Sequence, residues 1–249
     1  TEVAAQFEKR AGNWRNTFDP KVGFVRPRNA DGSYAEPFDP ARAGKNSGFT
    51  EGNAWQYSWY QPQDEAGLIA LLGGDQKLVD KLDAMFDAKV DPKQYADVED
   101  ISGMIGQYIH GNEPSHHLAY LYNYAGQPWR TQERLKQIVE SQYKPSPEGL
   151  VGNDDLGQMS AWLVFTSLGF YPVAPASNEY ILGRPFVEQA DLRLPKGKHF
   201  RVTAEHLSDA NRYVANVLLN GKPLPRAYIR HEEILAGGAL RVVMGSQPN

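Results

Sequence analysis

Three turns in this chain crowd oxygen-bearing side chains beside glycine. They are Thr50-Glu51-Gly52-Asn53-Ala54-Trp55-Gln56-Tyr57, Gly111-Asn112-Glu113-Pro114-Ser115-His116-His117 and Gly152-Asn153-Asp154-Asp155-Leu156-Gly157-Gln158. The second and third lead into apolar runs with helical spacing. Their carboxylates are therefore expected at helix N-termini, where unpaired N–H groups and the macrodipole favour anions. Capping explains one Asp or Asn per helix. It does not explain Asn-Glu and Asn-Asp-Asp runs set beside glycine, where backbone can approach a ligand closely. Carboxylates so placed stay ionised at neutral pH, which suits a general base or a ligand to a hard cation. A general acid needs the opposite surroundings. Glu51, followed by Trp55, Tyr57, Trp59 and Tyr60, is expected against an aromatic wall that raises its pKa. Two carboxyls in opposed environments are the requirement of glycoside hydrolysis.

Other chemistries fit less well. There is no cysteine, which removes disulfides, thiolate metal sites and a Cys nucleophile. His110, His116 and His117 invite a zinc reading, but no His-Glu-x-x-His is present and neighbouring His residues on a helix diverge. Capping and packing suit His116 and His117 better. Neither a Gly-x-Ser-x-Gly elbow nor a dinucleotide fingerprint occurs. Gly221-Lys222 lacks the upstream glycine and following hydroxyl of a phosphate loop. The formal net charge is −4 and no dense basic stripe exists, so nucleic acid and anionic membrane are poor partners. No apolar run is long enough to span a bilayer. The absence of cysteine suits an exported bacterial protein, periplasmic or extracellular. The many Tyr and Trp residues suit a sugar cleft as readily as a core.

The elements that must hold these turns are mostly helical. Residues 1–17 read as a helix with Phe7, Ala11 and Trp14 on one face. A long Gly/Pro/Asp/Asn-rich loop follows from Phe18 to Thr50. Asp64 is placed to cap a helix Glu65–Leu72 that Gly73-Gly74 ends, and Asp75–Asp87 is a second helix with Leu78, Leu82 and Phe86 inward. Helices are also expected over 102–109, 115–124, 131–143 and 156–168. The last is apolar almost all round, hence inner and buried, and Gly169 closes it. Beyond Pro172-Val173-Ala174-Pro175 the pattern alternates. Residues 200–204 and 240–244 read as strands, and Leu219-Asn220-Gly221-Lys222 as a type I′ hairpin turn. The fold class is mainly α with a small β part, divided as 1–174 and 175–249. Helical pairs of similar size suggest a toroid of helical hairpins.

The three turns, with Phe18-Asp19-Pro20, Gly157-Gln158-Met159-Ser160-Ala161-Trp162, Leu168-Gly169-Phe170-Tyr171-Pro172-Val173 and Asn220-Gly221-Lys222, resemble glycoside hydrolase family 92 in order over nearly the whole chain. That family comprises calcium-dependent, inverting exo-α-mannosidases. The resemblance implies a partial (α/α)6 toroid followed by C-terminal antiparallel strands. Family members are much longer, with an N-terminal β-sandwich and a complete toroid. The chain is therefore expected to be a C-terminal fragment whose partner is the remainder of its own protein.

By the same resemblance Glu51 is the general acid, and Asp155 the general base, with Asp154 beside it. Some members have Asp-x-Asp there, and Asn153 takes the first position here. Asn112, Glu113 and Asp155 are the expected Ca2+ ligands, and Trp55, Gln56, Tyr57 and His110 the expected sugar contacts. In several α-1,2-specific members a His-Glu pair precedes the Gly-Asn-Glu-Pro motif; Tyr108-Ile109 stands here instead. The implied reaction is single-displacement hydrolysis of a terminal α-mannoside of a glycan. An inverting pair leaves room for water, roughly 6.5–9.5 Å between carboxyls. The alternatives are a non-catalytic carbohydrate-binding domain, which would use the same aromatics, and a helical interaction domain.

Overall fold

The computed structural model describes residues 1–95, 98 and 101–249. They form two compact units: Thr1–Leu118 with Val151–Asn153, and Ala119–Leu150 with Asp154–Asn249.

The first unit opens with α1, Glu2–Ala11, which Thr1 caps by accepting from the Ala4 N–H. The helix is shorter than the expected 1–17, and Trp14 lies beyond its end. No residue of α1 is buried, and Phe7 is 57% exposed. A 3-10 turn, Gly12–Asn16, follows, and Trp14 Nε1 donates to Asp64 Oδ2 at 3.1 Å. Strands β1, Phe18–Asp19, and β2, Phe24–Val25, pair antiparallel. The long loop beyond them is organised by buried Arg26. Its Nη1 donates to Asp19 Oδ2 at 2.8 Å, and its Nη2 donates to the Ala35 carbonyl and to Glu36. Tyr34 and Phe38 cover the guanidinium. A buried charge this well paired fixes a loop that has little regular structure of its own.

Helices α2, Ala54–Tyr57, α3, Glu65–Leu72, and α4, Asp75–Phe86, complete the helical part of this unit. The last two match the expectation: Asp64 accepts from Gly67 N–H, Gly73 ends α3 at φ 99°, and Leu78, Leu82 and Phe86 are buried. The helix expected over 102–109 is instead a hairpin of β3, Met104–Ile105, and β4, Tyr108–Ile109. Its turn is fixed by Gly106, at φ 60°, where a Cβ would collide with the carbonyls of Met85 and Phe86. Close backbone approach, not apolar spacing, decides the local structure there.

The helix expected over 115–124 is two 3-10 segments, Glu113–Ser115 and Leu118–Asn123. In the second unit α5, Pro128–Gln142, buries Thr131, Leu135 and Ile138. Helix α6, Gln158–Leu168, buries Met159, Trp162 and Thr166, and Gly169 closes it at φ 89°. It is not sealed all round, since Val164 is 59% exposed. Strands β5, Phe170–Tyr171, and β6, Glu179–Leu182, are followed by β7, Gln189–Arg193, β8, His199–Glu205, β9, Tyr213–Leu219, and β10, Lys222–Pro223. Then come β11, Tyr228–Arg230, α7, His231–Ala236, and β12, Gly238–Gly245.

One sheet has the order β10-β9-β12-β8-β7 and another β11-β6-β5. All these pairings are antiparallel except β12 with β8. Leu219 pairs with Lys222 around Asn220 and Gly221, both at positive φ, as a type I′ turn requires. Alternate residues of β8 and β12, among them Phe200, Val202, Leu240, Val242 and Met244, point into a core shared with Phe170 and Ile229. Most of the helices precede the two larger sheets, while two short hairpins lie among the helices and α7 lies between β11 and β12.

Candidate active site

In the first unit, α2 is only one turn long, so its caps decide its geometry. Asn53 Oδ1 accepts from Trp55 N–H at 2.9 Å, and Gln56 Oε1 accepts from Asn53 N–H at 2.7 Å. This reciprocal box satisfies donors at the helix start. Asn53 Nδ2 also donates to Gln107 Oε1 at 3.0 Å, while the Gln56 amide donates to the Gln107 carbonyl. Gln107 thereby locks the turn that follows Glu51. No motif marks Gln107, and sequence reasoning missed it.

Glu51 is half-buried at the head of this turn. Asn112, only 4% exposed, reaches it: Nδ2 donates to Glu51 Oε2 at 3.2 Å. Glu113, next in the chain, is exposed and begins a 3-10 turn. The structure thus joins two of the three motif turns directly. The third enters through its glycine. A Cβ on Gly111 would strike Ser102 Oγ, and a Cβ on Gly152 would meet the same Oγ and the Gly111 backbone. Both glycines exist so that two turns can close on Ser102. Nothing in the sequence singles out Ser102.

The aromatic wall forms only in part. Trp55 and Tyr57 are half-buried, Trp59 is buried at 1% exposure, and Tyr60 stands out at 58%. Burial raises the Tyr57 phenol pKa, opposed by a hydrogen bond to the Glu51 backbone. Gln56 and His110, expected as sugar contacts, are buried at 2% and 0% exposure. The Gln56 amide is engaged on both sides, and the Tyr108 hydroxyl lies 2.8 Å from His110 Nδ1. Their polar groups hold neighbouring chain rather than open surface. His116 Nε2–H donates to the His110 carbonyl at 2.9 Å, and His117 Nε2–H to the Trp59 carbonyl at 2.8 Å. Burial, with His116 nearby, pushes His110 well below the usual imidazole range; burial pushes His117 down to about 4. His110 and His117 are thus neutral groups at pH 7, and all three rings are buried in packing.

Asp154 and Asp155 lie in the second unit and are both exposed. They are not equivalent. The Asp154 carboxylate accepts from Ser160 N–H at 3.0 Å and from Ser160 Oγ–H at 3.1 Å. Its carbonyl also accepts from the N–H groups of Gly157 and Met159. Asp154 is therefore the residue that closes the turn into α6. Asp155 and Leu156 adopt left-handed φ values of 47° and 57°, and Leu156 is fully exposed. Non-glycine residues pay for such backbone and tend to gather at functional turns.

Among the described residues no group of three His, Asp or Glu side chains is gathered as a metal site. The donor chemistry still fits a hard cation. With its Nδ2 on Glu51, Asn112 keeps its amide oxygen, and the neighbouring Glu113 carboxylate is exposed. Two oxygen donors leave most of a calcium shell to other ligands. Among the described residues no helix is long and apolar enough to cross a membrane.

A secreted glycosidase of Arthroderma benhamiae, otherwise uncharacterized, is 31% identical over 267 residues, covering 97% of this chain and 32% of the relative. A family GH92 alpha-mannosidase from Bacteroides thetaiotaomicron, solved with mannoimidazole, superposes with a TM-score of 0.87 at 41% identity, over 95% of this chain and 32% of that one. A GH92 inverting mannosidase from the same organism superposes with a TM-score of 0.87 at 36% identity, over 100% of this chain and 34% of that one. The chain thus spans about a third of the length of these relatives. Since the glycosyl hydrolase family 92 catalytic-domain model matches residues 1–246, the chain belongs to that family.

Proposed function

We propose that this chain is part of an exo-α-mannosidase that removes terminal mannose from glycans with inversion and with the help of Ca2+. The observation that carries the reading is the bond from Asn112 to Glu51, which draws two motif turns together around one carboxyl. The mannosidase relatives supply the sugar and the stereochemical expectation.

In this reading Glu51 protonates the departing glycosidic oxygen. Asp155 takes a proton from the attacking water, because the Asp154 carboxylate is already held by Ser160. Trp55 and Tyr57 offer apolar ring surface to a sugar face. Gln56 and His110, being buried, act by holding the turns that present Glu51 and Asn112. Asn112, Glu113 and Asp155 would hold Ca2+, which when bound engages sugar hydroxyls. The helical part is read as a share of an (α/α)6 toroid over 1–174, with 175–249 as the trailing β region. The rest of the toroid and an N-terminal β-sandwich would complete the cleft, so this chain alone is expected to be inactive. The secreted relative supports export.

The test is Glu51→Gln in a protein containing the complete family architecture, assayed on an aryl α-mannoside. Turnover should fall at least a thousandfold while mannose binding persists. Retained turnover would remove Glu51 as the acid. Persistent binding with no turnover in the unsubstituted protein would favour a carbohydrate-binding domain.

A further inference from the structure

One lysine of the first unit is placed unlike an ordinary surface amine. Lys81 lies on α4, one turn from buried Leu78 and Met85, and is itself half-buried. Its Nζ stands 3.2 Å from the centre of the Phe24 ring, 5.1 Å from Trp55 and 5.8 Å from Trp59. Phe24 and Trp55 meet edge to face at 4.8 Å, which fixes the walls of this cage. A Cβ on Gly23 would lie 3.8 Å from the amine. Among the described residues no carboxylate or carbonyl pairs with Nζ. The groups that face it from β2, α2 and the segment after α2 carry no titratable function; on its own helix the one-turn neighbour that titrates is Lys77.

An ammonium with reduced hydration and no counter-ion is unfavourable, and the ring faces repay only part of what is lost. Burial alone brings the Lys81 pKa down to about 7. A desolvated lysine in an apolar pocket carries a free lone pair at neutral pH and is a nucleophile there. We propose that Lys81 is a covalent modification site at which the amine condenses with the aldehyde of an open-chain reducing sugar. Of the cage, only half-buried Trp55 offers ring surface to the apolar side of a sugar; Phe24 and Trp59 are buried. For a local source of free aldose the proposal rests on the glycosidase reading; the reactivity of the amine does not.

The step balances simply. The Nζ lone pair forms a bond to the aldehyde carbon, and the ammonium proton passes to the oxygen to give a carbinolamine. The carbon–oxygen bond then breaks, the oxygen leaves as water, and nitrogen loses its remaining proton to give the neutral imine. The imine nitrogen takes a proton from water, and cyanoborohydride, itself oxidised, delivers hydride to the iminium carbon and traps a stable secondary amine.

The experiment incubates the protein with 13C-labelled mannose and cyanoborohydride at pH 7 and pH 10, then maps every lysine by peptide mass spectrometry. Formaldehyde serves as a second, smaller probe. At pH 7 Lys81 should label about tenfold faster than exposed Lys77 and Lys196, and the advantage should vanish at pH 10, where ordinary amines also lose their proton. Lys81→Arg should remove the fast phase with either aldehyde. Labelling no faster than Lys77 with both aldehydes overturns the proposal. Fast labelling by formaldehyde but not by mannose overturns the sugar as its reagent. Neither readout depends on glycoside turnover, so failure here is distinct from failure of the mannosidase reading.

Discussion

Asn112 Nδ2 donates to Glu51 Oε2 across 3.2 Å, tying the residue proposed as general acid to a residue 61 positions later in the chain. A carboxylate in place of that amide would bring two acidic groups into contact. The variant that tests the contact is Asn112→Asp. In an active family protein the basic limb of the pH–rate profile, set by the acid, should move up by about one unit. An unmoved limb would separate Asn112 from the acid.

The close approach at Ser102 is a stability statement. Gly111→Ala would drive a methyl group into Ser102 Oγ. Such overpacking typically costs about 1–3 kcal/mol. The midpoint of thermal unfolding should fall, and Ser102→Gly in the same chain should recover part of the loss. Two losses that simply add would show that the added methyl group and Ser102 Oγ do not meet.

Buried imidazoles set an acid limit. His117 has its pKa lowered to about 4 by burial, against an ordinary 6.5, and burial lowers His110 too. The sign follows from proton binding. Between pH 6.5 and 4 the unfolded chain takes up a proton at His117 that the folded chain refuses. Stability is full above pH 6.5 and falls with pH, by up to about 1.4 kcal/mol per unit for each such histidine. Urea titrations over this range should show the slope. His117→Gln, which keeps a donor for the Trp59 carbonyl, should flatten it.

The proposed cation makes a separate prediction. If Asn112 and Glu113 contribute to a Ca2+ site, the ion stabilises the folded state by mass action, by about 2.7 kcal/mol at a hundred times its Kd. The melting temperature of an active family protein should rise with Ca2+ and drop with chelator, and Glu113→Ala should abolish both responses. A response unchanged by Glu113→Ala would move the ion elsewhere.

What could be read from the sequence was what side chains decide locally. Asp64 and Gly73 bracket α3 because a cap and a left-handed stop act within one turn. Asn220-Gly221 turns a hairpin because its φ values need it. What failed depended on contacts from far along the chain. Gly106 falls inside the helix expected over 102–109, but its place under the Met85 and Phe86 carbonyls makes a hairpin. Phe7 has the helical spacing that was read from the sequence, yet it is 57% exposed. At the candidate site Glu51, Asn112 and Glu113 were legible as a clustering of oxygen atoms. Gln107 and Ser102, which hold those turns, were not, because a lone Gln or Ser carries no pattern.

The two aspartates of the third turn can be told apart by experiment. Asp154 spends its carboxylate on Ser160, accepting from the N–H at 3.0 Å and the hydroxyl at 3.1 Å, so its role is to start α6. Removing a side chain that satisfies the first turn of a helix costs about 1 kcal/mol. Asp154→Ala should therefore lower stability, with activity falling only as far as the turn loosens. Asp155 sits one residue on in a left-handed conformation with its side chain exposed. Asp155→Asn keeps size and a polar end, and asparagine tolerates that backbone well. In chelator it should leave the melting temperature within about a degree, while turnover falls by at least a hundredfold, as expected for loss of a general base. The paired measurement of melting and turnover on both variants decides the assignment. If Asp154→Ala abolishes turnover without loss of stability and Asp155→Asn stays active, the base is Asp154.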